Sequence, residues 1–179
     1  MSDQPHPQDR TRVLIPAERI QARIVELARE IRADLGDGPL TCIGVLKGSF
    51  IFMADLVRAL DGPVRCEFLG VSSYHGGTRS TGVVRITEDL SHPIEGHHCL
   101  LVEDIVDTGL TLDYLRHFLE GRKPASVHTV CLLDKPGRRE VEVAPDYVGF
   151  TIPDEFVVGY GLDLGEFYRN LPYIAVYSP

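Results

Sequence analysis

An α/β fold, with a central, mostly parallel twisted sheet flanked by helices, is predicted by three features of the sequence. Apolar runs of strand length alternate with helix-period segments through the first two-thirds of the chain, the order that places crossover helices over a parallel sheet. Those runs lack strict polar alternation, as strands buried on both faces do. Strand-like runs then dominate the C-terminal third, and no linker, repeat or low-complexity tract divides the 179 residues.

The elements follow in order. Residues 1–12 are polar and Pro-containing and read as a mobile tail, leaving 13–179 as one domain. After Pro16, the residues Ile20, Ile24, Leu27, Ile31 and Leu35 recur at helical spacing, and Gly36 and Gly38 end the helix. "LTCIGVL" is a short apolar run between turn signals, hence a buried strand. "KGSFIFMADLVRAL" reads as a turn into a helix, with Ser49 as its cap. Residues 64–74 are strand-like, "HGGTRSTG" is a loop, and "VVRITEDL" resumes an extended pattern. "HHCLLVEDIV" is another buried strand. "TGLTLDYLRHFLEG" places Leu110, Tyr114, Leu115 and Phe118 on one helical face, with Gly121 as the stop. "SVHTVCLLD", "DYVGFTI", "FVVGYGLD" and "YIAVYSP" are four further strand candidates.

Composition narrows the function. A formal net charge of −8 argues against a general nucleic-acid binder, which needs a basic face. No apolar run approaches the length of a membrane span, and the N-terminus has no apolar signal region, so a cytoplasmic protein is expected. Cys42, Cys66, Cys99 and Cys131 lie far apart in apolar runs without metal-binding spacing, which reads as buried reduced thiols.

The chemistry concentrates in "CLLVEDIVDTGLTL", residues 99–112. Four apolar residues lead into Glu103 and Asp104, and Asp107 follows, with no basic residue before Arg116. Clustered carboxylates in an apolar setting resist ionisation. They gain from the arrangement where a polyol or a hard cation comes to meet them. Open α/β sheets bind ligands at strand carboxyl ends, which is where Glu103 and Asp104 fall. Thr108 to Thr111 fall at a helix N-terminus, whose amides and hydroxyls suit a phosphate, and Gly109 permits close approach. Phosphate at one end and polyol at the other describe a phosphorylated sugar.

Three rival readings are weaker. An acidic helix cap explains Asp107 alone but not three carboxylates beside T-G-x-T. The D-T-G triplet of aspartic proteases requires a second copy or a β-rich dimer, whereas here it opens a helix. No G-x-x-x-x-G-K-[ST] occurs, and "GYGLDLG" has Leu164 where a dinucleotide fingerprint needs glycine.

"LLVEDIVDTGLTL" resembles the signature that binds phosphoribosyl pyrophosphate in type I phosphoribosyltransferases. The resemblance extends to "GVLKGSFIFMADL", "SSYHGGTRSTG", "LLDKPGRREV" and "IPDEFVVGYGLDLGEFYRNLPYI", over roughly residues 13–177. The last two segments are similar to the 6-oxopurine branch of that family. The resemblance implies the family's fold, a mostly parallel sheet between helices with a small hood from the terminal segments. It implies purine salvage, in which hypoxanthine or guanine and 5-phosphoribosyl 1-pyrophosphate give IMP or GMP and pyrophosphate, with Mg²⁺ as cofactor.

The resemblance also assigns residues. Glu103 and Asp104 would contact the ribose hydroxyls, directly or through metal-bound water. Asp107 would handle the proton at purine N7, and the segment Asp107, Thr108, Gly109, Leu110 and Thr111 would cradle the 5′-phosphate. Lys47, Gly48 and Arg169 would meet pyrophosphate, with the bond before Lys47 often cis in the family. Ser73 and Tyr74 would belong to a mobile lid that excludes water. Lys135 would donate to the exocyclic O6, Phe156 would stack on the base, and the Val157 backbone would read its edge. Asp163, beside the base, would hold Mg²⁺ together with Glu103 and Asp104. Arg138 and Arg139 are assigned to structure or a subunit contact. The implied partners are small-molecule substrates, with no nucleic acid or membrane, and a homodimer or homotetramer.

Gly161 and Leu164–Gly165 depart from the vertebrate pattern, which leaves the choice among hypoxanthine, guanine and xanthine open. A transferase for another base and a non-catalytic nucleotide sensor on the same fold are the alternatives. Lys135 argues against the first. The acidic surface and the retained Asp107, Lys135, Asp163 and Arg169 argue against the second.

Overall fold

The computed structural model describes residues 10–73 and 84–178. Nine strands and three α-helices are present among them: β1 (Thr11–Ile15), α1 (Ala17–Leu35), β2 (Leu40–Leu46), α2 (Phe50–Ala59), β3 (Val64–Ser73), β4 (Val84–Glu88), β5 (His98–Val106), α3 (Leu110–Glu120), β6 (Ser126–Asp134), β7 (Tyr147–Thr151), β8 (Val157–Val158) and β9 (Ile174–Tyr177). Six strands form the central sheet in the order β4-β3-β2-β5-β6-β7. All neighbours in it are parallel except the antiparallel edge pair β3–β4. The α/β class and the mostly parallel sheet are as predicted.

Both faces of this sheet are apolar, so each strand divides its side chains between two cores. On one face Cys42, Leu100, Val102, Val130 and Leu132 pack with Ile20, Ile24, Leu27 and Ile31 of α1 and with Phe52, Met53 and Leu56 of α2. On the other, Ile43, Val45, Cys99, Leu101 and Cys131 pack with Leu112, Leu115 and Leu119 of α3. Each fully buried aliphatic side chain contributes on the order of 1.5–3 kcal/mol. Gly36, at φ 74°, ends α1 as expected.

The terminal segments form a second sheet, β1-β9-β8, antiparallel throughout. It is the small hood implied by the resemblance. Here the expected tail is too long. Residues 1–9 lie outside the described residues, but Thr11 and Arg12 belong to β1 and pair with Tyr177 and Val176. Their backbone groups complete a ladder that the short "TRVLI" run does not announce.

Four local expectations change. The buried face of α3 is Leu112, Leu115 and Leu119, while Tyr114 is exposed and stacks on Phe118, 6.3 Å between centroids. Ser49 does not cap α2 with its side chain; its hydroxyl donates backward to the Val45 carbonyl at 2.7 Å. "FVVGYGLD" is a strand only at Val157–Val158, because Gly159, Tyr160 and Gly161 at φ 100°, 50° and 102° form a turn no strand can continue. Of the four free cysteines, Cys66 is exposed and the other three are buried. Burial pushes the Cys42 and Cys99 thiols up to about 12 and about 11, which makes them inert at neutral pH.

Candidate active site

β2 and β5 are neighbours, yet the chain leaves β2 toward β3 on one side and leaves β5 toward β6 on the other. This is the topological switch point, and the crevice outside its strand ends is where such sheets bind ligands. A cavity of about 420 Å³ lies there. Ten of the residues predicted from sequence line it: Lys47, Gly48, Glu103, Asp104, Asp107, Thr108, Gly109, Thr111, Asp163 and Arg169. Leu110, Lys135, Phe156 and Val157 are not in its wall. Tyr74 lies outside the described residues, and Ser73 is described only as the last backbone position of β3.

The electrostatics are those of a site awaiting positive charge. Glu103 is buried among sheet residues, and burial, with the Asp104 charge adding to it, pushes its carboxyl well above the usual carboxylate range. Asp104 is pushed up to about 6, mainly by burial and against the pull of its bond from the Ile105 amide and of the Arg169 charge. That bond, Ile105 N to Asp104 Oδ1, is 2.9 Å long. The chain turns sharply after β5: Gly109, at φ 86°, precedes α3, and the Leu110 amide donates to Thr108 Oγ1 at 3.4 Å. A Cβ on Gly109 would meet Val143 Cγ1 at 2.7 Å, so glycine is required for space as well as for conformation. First-turn amides of a helix have no intrahelical acceptor, and here they open onto the cavity beside Thr108 and Thr111.

The opposite wall comes from the loop after β2 and the turn after β8. The Leu46–Lys47 bond is cis. Arg169 donates to the Gly161 carbonyl at 2.7 Å and pairs with Asp163 at 2.8 Å; its Nε is buried and without a partner among the described residues. Lys47 pairs with Glu166 at 2.7 Å, both side chains largely exposed. Tyr160 anchors this wall to the helical layer, since its hydroxyl donates to Asp55, which also accepts from Gln21 at 3.0 Å. Burial pushes Asp55 upward, but donation from Tyr160, Gln21 and Arg58 brings its carboxyl below the ordinary value.

Beside the strand end that leads into Asp107, the Lys135 amide donates to the Val106 carbonyl at 3.0 Å. Lys135, at the end of β6, is 7% exposed, donates to the Glu155 carbonyl at 2.7 Å and lies 3.7 Å from Asp154. Phe156 is 54% exposed and meets the Tyr177 ring edge-on at 6.3 Å, while its carbonyl accepts from the Tyr177 amide. Val157 is buried in β8. Arg139 has the structural role expected: it donates to the carbonyls of Val106, Asp107 and Lys135 and pairs with Asp134. Arg138 does not. Its Nε donates to Asp107 Oδ1 at 3.0 Å and its Nη1 to Asp154 Oδ2 at 3.3 Å. Nothing in the spacing of "DKPGRR" reveals that contact, because Asp107 lies 31 residues away and only the adjacency of β5 and β6 joins them.

Glu103, Asp104 and Asp163 do not form a cluster of three or more ligands set to hold a metal among the described residues. The donors nevertheless suit Mg²⁺, which takes one or two carboxylates and completes its shell with water and substrate phosphates. The buried Glu103 and half-buried Asp104 carboxyls, both held above their ordinary range, are the groups whose ionisation such a cation would favour.

Fold and site together define a class. The family model of the phosphoribosyl transferase domain matches residues 16–164, and the chain belongs to the phosphoribosyltransferase family. Within it, the chain is 49% identical to the hypoxanthine-guanine phosphoribosyltransferase of Staphylococcus aureus over 171 residues, 96% of either chain. A crystal structure of a hypoxanthine phosphoribosyltransferase from Staphylococcus aureus superposes with TM-score 0.91 at 49% identity, covering 96% of this chain and 94% of that one. The Trypanosoma cruzi hypoxanthine phosphoribosyltransferase in complex with the product IMP superposes with TM-score 0.89 at 49% identity, covering 98% of each chain.

Proposed function

We propose that this chain is a purine-salvage transferase. It joins hypoxanthine, and also guanine, to 5-phosphoribosyl 1-pyrophosphate, giving IMP or GMP and pyrophosphate. The observation that carries this reading is one cavity walled by Glu103, Asp104, Asp107, Thr108, Gly109 and Thr111, with the Lys135 ammonium linked to Asp107 through Asp154 and Arg138. The likeness to a transferase that binds IMP supports the same substrates.

In this reading the α3 N-terminus holds the 5′-phosphate, and Glu103 and Asp104 face the ribose hydroxyls. Lys47, Gly48 and Arg169 face the pyrophosphate. The bond from C1 of the ribose to pyrophosphate breaks as the purine nitrogen approaches C1, and positive charge develops on the sugar. Catalysis then consists of positioning, neutralising the leaving group and managing the base proton. Asp107 holds that proton at N7. Lys135 donates to O6, a contact that an exocyclic amino group would not accept. Phe156 stacks on the base and Val157 reads its edge.

Glu103, Asp104 and Asp163 would hold Mg²⁺, which would supply positive charge to the pyrophosphate. The proposed location is cytoplasmic, with no membrane partner; no helix among the described residues is long and apolar enough to cross a membrane. A homodimer or homotetramer is the proposed assembly. The test is turnover with donor and Mg²⁺ for each of hypoxanthine, guanine, xanthine, adenine and uracil. Hypoxanthine and guanine are expected to react, and failure of every 6-oxopurine would refute the reading.

A further inference from the structure

Two consecutive arginines grip Asp107, and they grip different parts of it. Arg139 Nη1 donates to the Asp107 backbone carbonyl at 2.6 Å. Arg138 Nε donates to the side-chain Oδ1 at 3.0 Å, while Oδ2 has no hydrogen-bond donor among the described residues. Both arginines leave the single 3₁₀ turn Pro136–Arg138, which begins one residue after Lys135. The guanidinium of Arg138 is itself anchored, since its Nη1 donates to Asp154 Oδ2 at 3.3 Å. The other oxygen of Asp154 lies 3.7 Å from Lys135 Nζ. A continuous chain of charges therefore runs Asp107–Arg138–Asp154–Lys135, from the carboxylate assigned to N7 to the ammonium assigned to O6.

Stability does not explain this chain. The Arg138 and Asp107 side chains are 47% and 41% exposed, and ion pairs so wetted add little to stability. Geometry does explain it. A carboxylate with one oxygen tied to a fixed guanidinium has lost rotation about its last bond, so its second oxygen points in a set direction.

We propose that Arg138 is a positioning residue for the transfer: it fixes Asp107 through Oδ1 so that Oδ2 faces the incoming base, and Asp154 sets Arg138 in register with Lys135. The proposal rests on the reading of Asp107 as the group at N7. Its readout is a separation of kinetic constants and a dependence on Asp107 that a merely structural arginine would not show.

The test compares Arg138→Ala in the parent chain with the same change in Asp107→Asn, using hypoxanthine, donor and Mg²⁺. In the parent, R138A is expected to lower kcat about tenfold, the scale of a misaligned group, with donor KM changed less than about twofold. In D107N, where the oriented carboxylate is already gone, the same change is expected to alter kcat less than about twofold. Arg138→Gln, which keeps most of the stem, replaces R138A should that variant not fold. An unchanged or increased kcat in the parent background, or an equal loss in both backgrounds, would overturn the proposal while leaving the transferase assignment intact. No turnover by the parent chain would instead refute the assignment itself.

Discussion

Asp104 packs so tightly over Gly48 that a Cβ at position 48 would lie 1.6 Å from Asp104 Oδ2. The contact joins the loop after β2 to β5 across the switch point, with the Asp104 carboxylate lying directly on the Gly48 backbone. Gly161 closes the stack from the other side, because a Cβ there would lie 2.0 Å from the Gly48 carbonyl oxygen. The Asp104 carboxylate and the backbones of Gly48 and Gly161 thus stack where pyrophosphate and cation are proposed to bind.

Gly161→Ala is the sharper probe of that stack. The site demands φ 102°, which an L-residue rarely adopts, and the added methyl would meet backbone rather than a flexible side chain. Strain of this kind costs on the order of 1–3 kcal/mol before any clash is counted. The expected outcome is a melting temperature lower by roughly 3–10 °C and a donor KM raised about tenfold or more. Gly137→Ala, with nothing within 4 Å, should leave both unchanged. Equal behaviour of the two variants would show that the stack does not constrain the site.

The raised carboxyl of Asp104 makes a pH-dependent prediction. Its value of about 6 in the folded chain exceeds that of an unfolded aspartate, about 4. Between those values the folded state holds more protons, so this group's contribution to stability is intact below about pH 4 and is lost as pH rises through about 6. Without Mg²⁺ or donor, Asp104→Asn should therefore melt higher than the parent at pH 7.5, by roughly 2–6 °C, and the difference should shrink toward pH 4. Donor and Mg²⁺ must expel the same proton, so donor affinity should weaken as pH falls below about 6 in the parent and much less in D104N. A gain in melting temperature independent of pH would contradict the assigned cause.

These predictions draw on residues that were unequally legible. The strands and helices of the central sheet could be read because their apolar runs are long and bounded by glycine. β1 could not, because its burial comes from pairing with β9 at the far end of the chain. Glu103, Asp104 and Asp107 stood out because charge interrupts an apolar strand. Lys135 and Phe156 carry no local signal and were reached only through the family resemblance. Arg138 carries no local signal either, since its contact with Asp107 depends on which strand lies beside β5. The Gly48–Gly161 contact has no sequence signature at all, being an approach of two backbones.

Lys135 tests base selection. Its ammonium is buried against the Glu155 carbonyl, so Lys135→Ala removes the donor proposed for O6 and leaves that carbonyl without its partner. The base KM should rise about tenfold or more, the scale of a lost charged hydrogen bond, with donor KM changed less than about twofold. Titration of donor binding in the absence of base separates the two effects. Unchanged kinetics toward hypoxanthine would remove Lys135 from the base subsite.

Asp107→Asn separates chemistry from binding at the centre of the site. The amide is nearly isosteric and can still accept from Arg138 Nε, so the turn held by Arg139 on the Asp107 carbonyl should persist. What is lost is the capacity proposed for Asp107, to take a proton at N7, a contribution of about 10²–10⁴ in rate for a well-placed acid–base group. The expected result is a fall in kcat of that order, with donor affinity within about threefold of the parent and an unchanged melting temperature. An interaction made only in the transition state lowers kcat and kcat/KM together, which distinguishes it from lost ground-state binding. Equal losses in kcat and in donor affinity would make Asp107 a phosphate-loop residue. The grip of Arg138 on its carboxylate would then have no bearing on proton transfer.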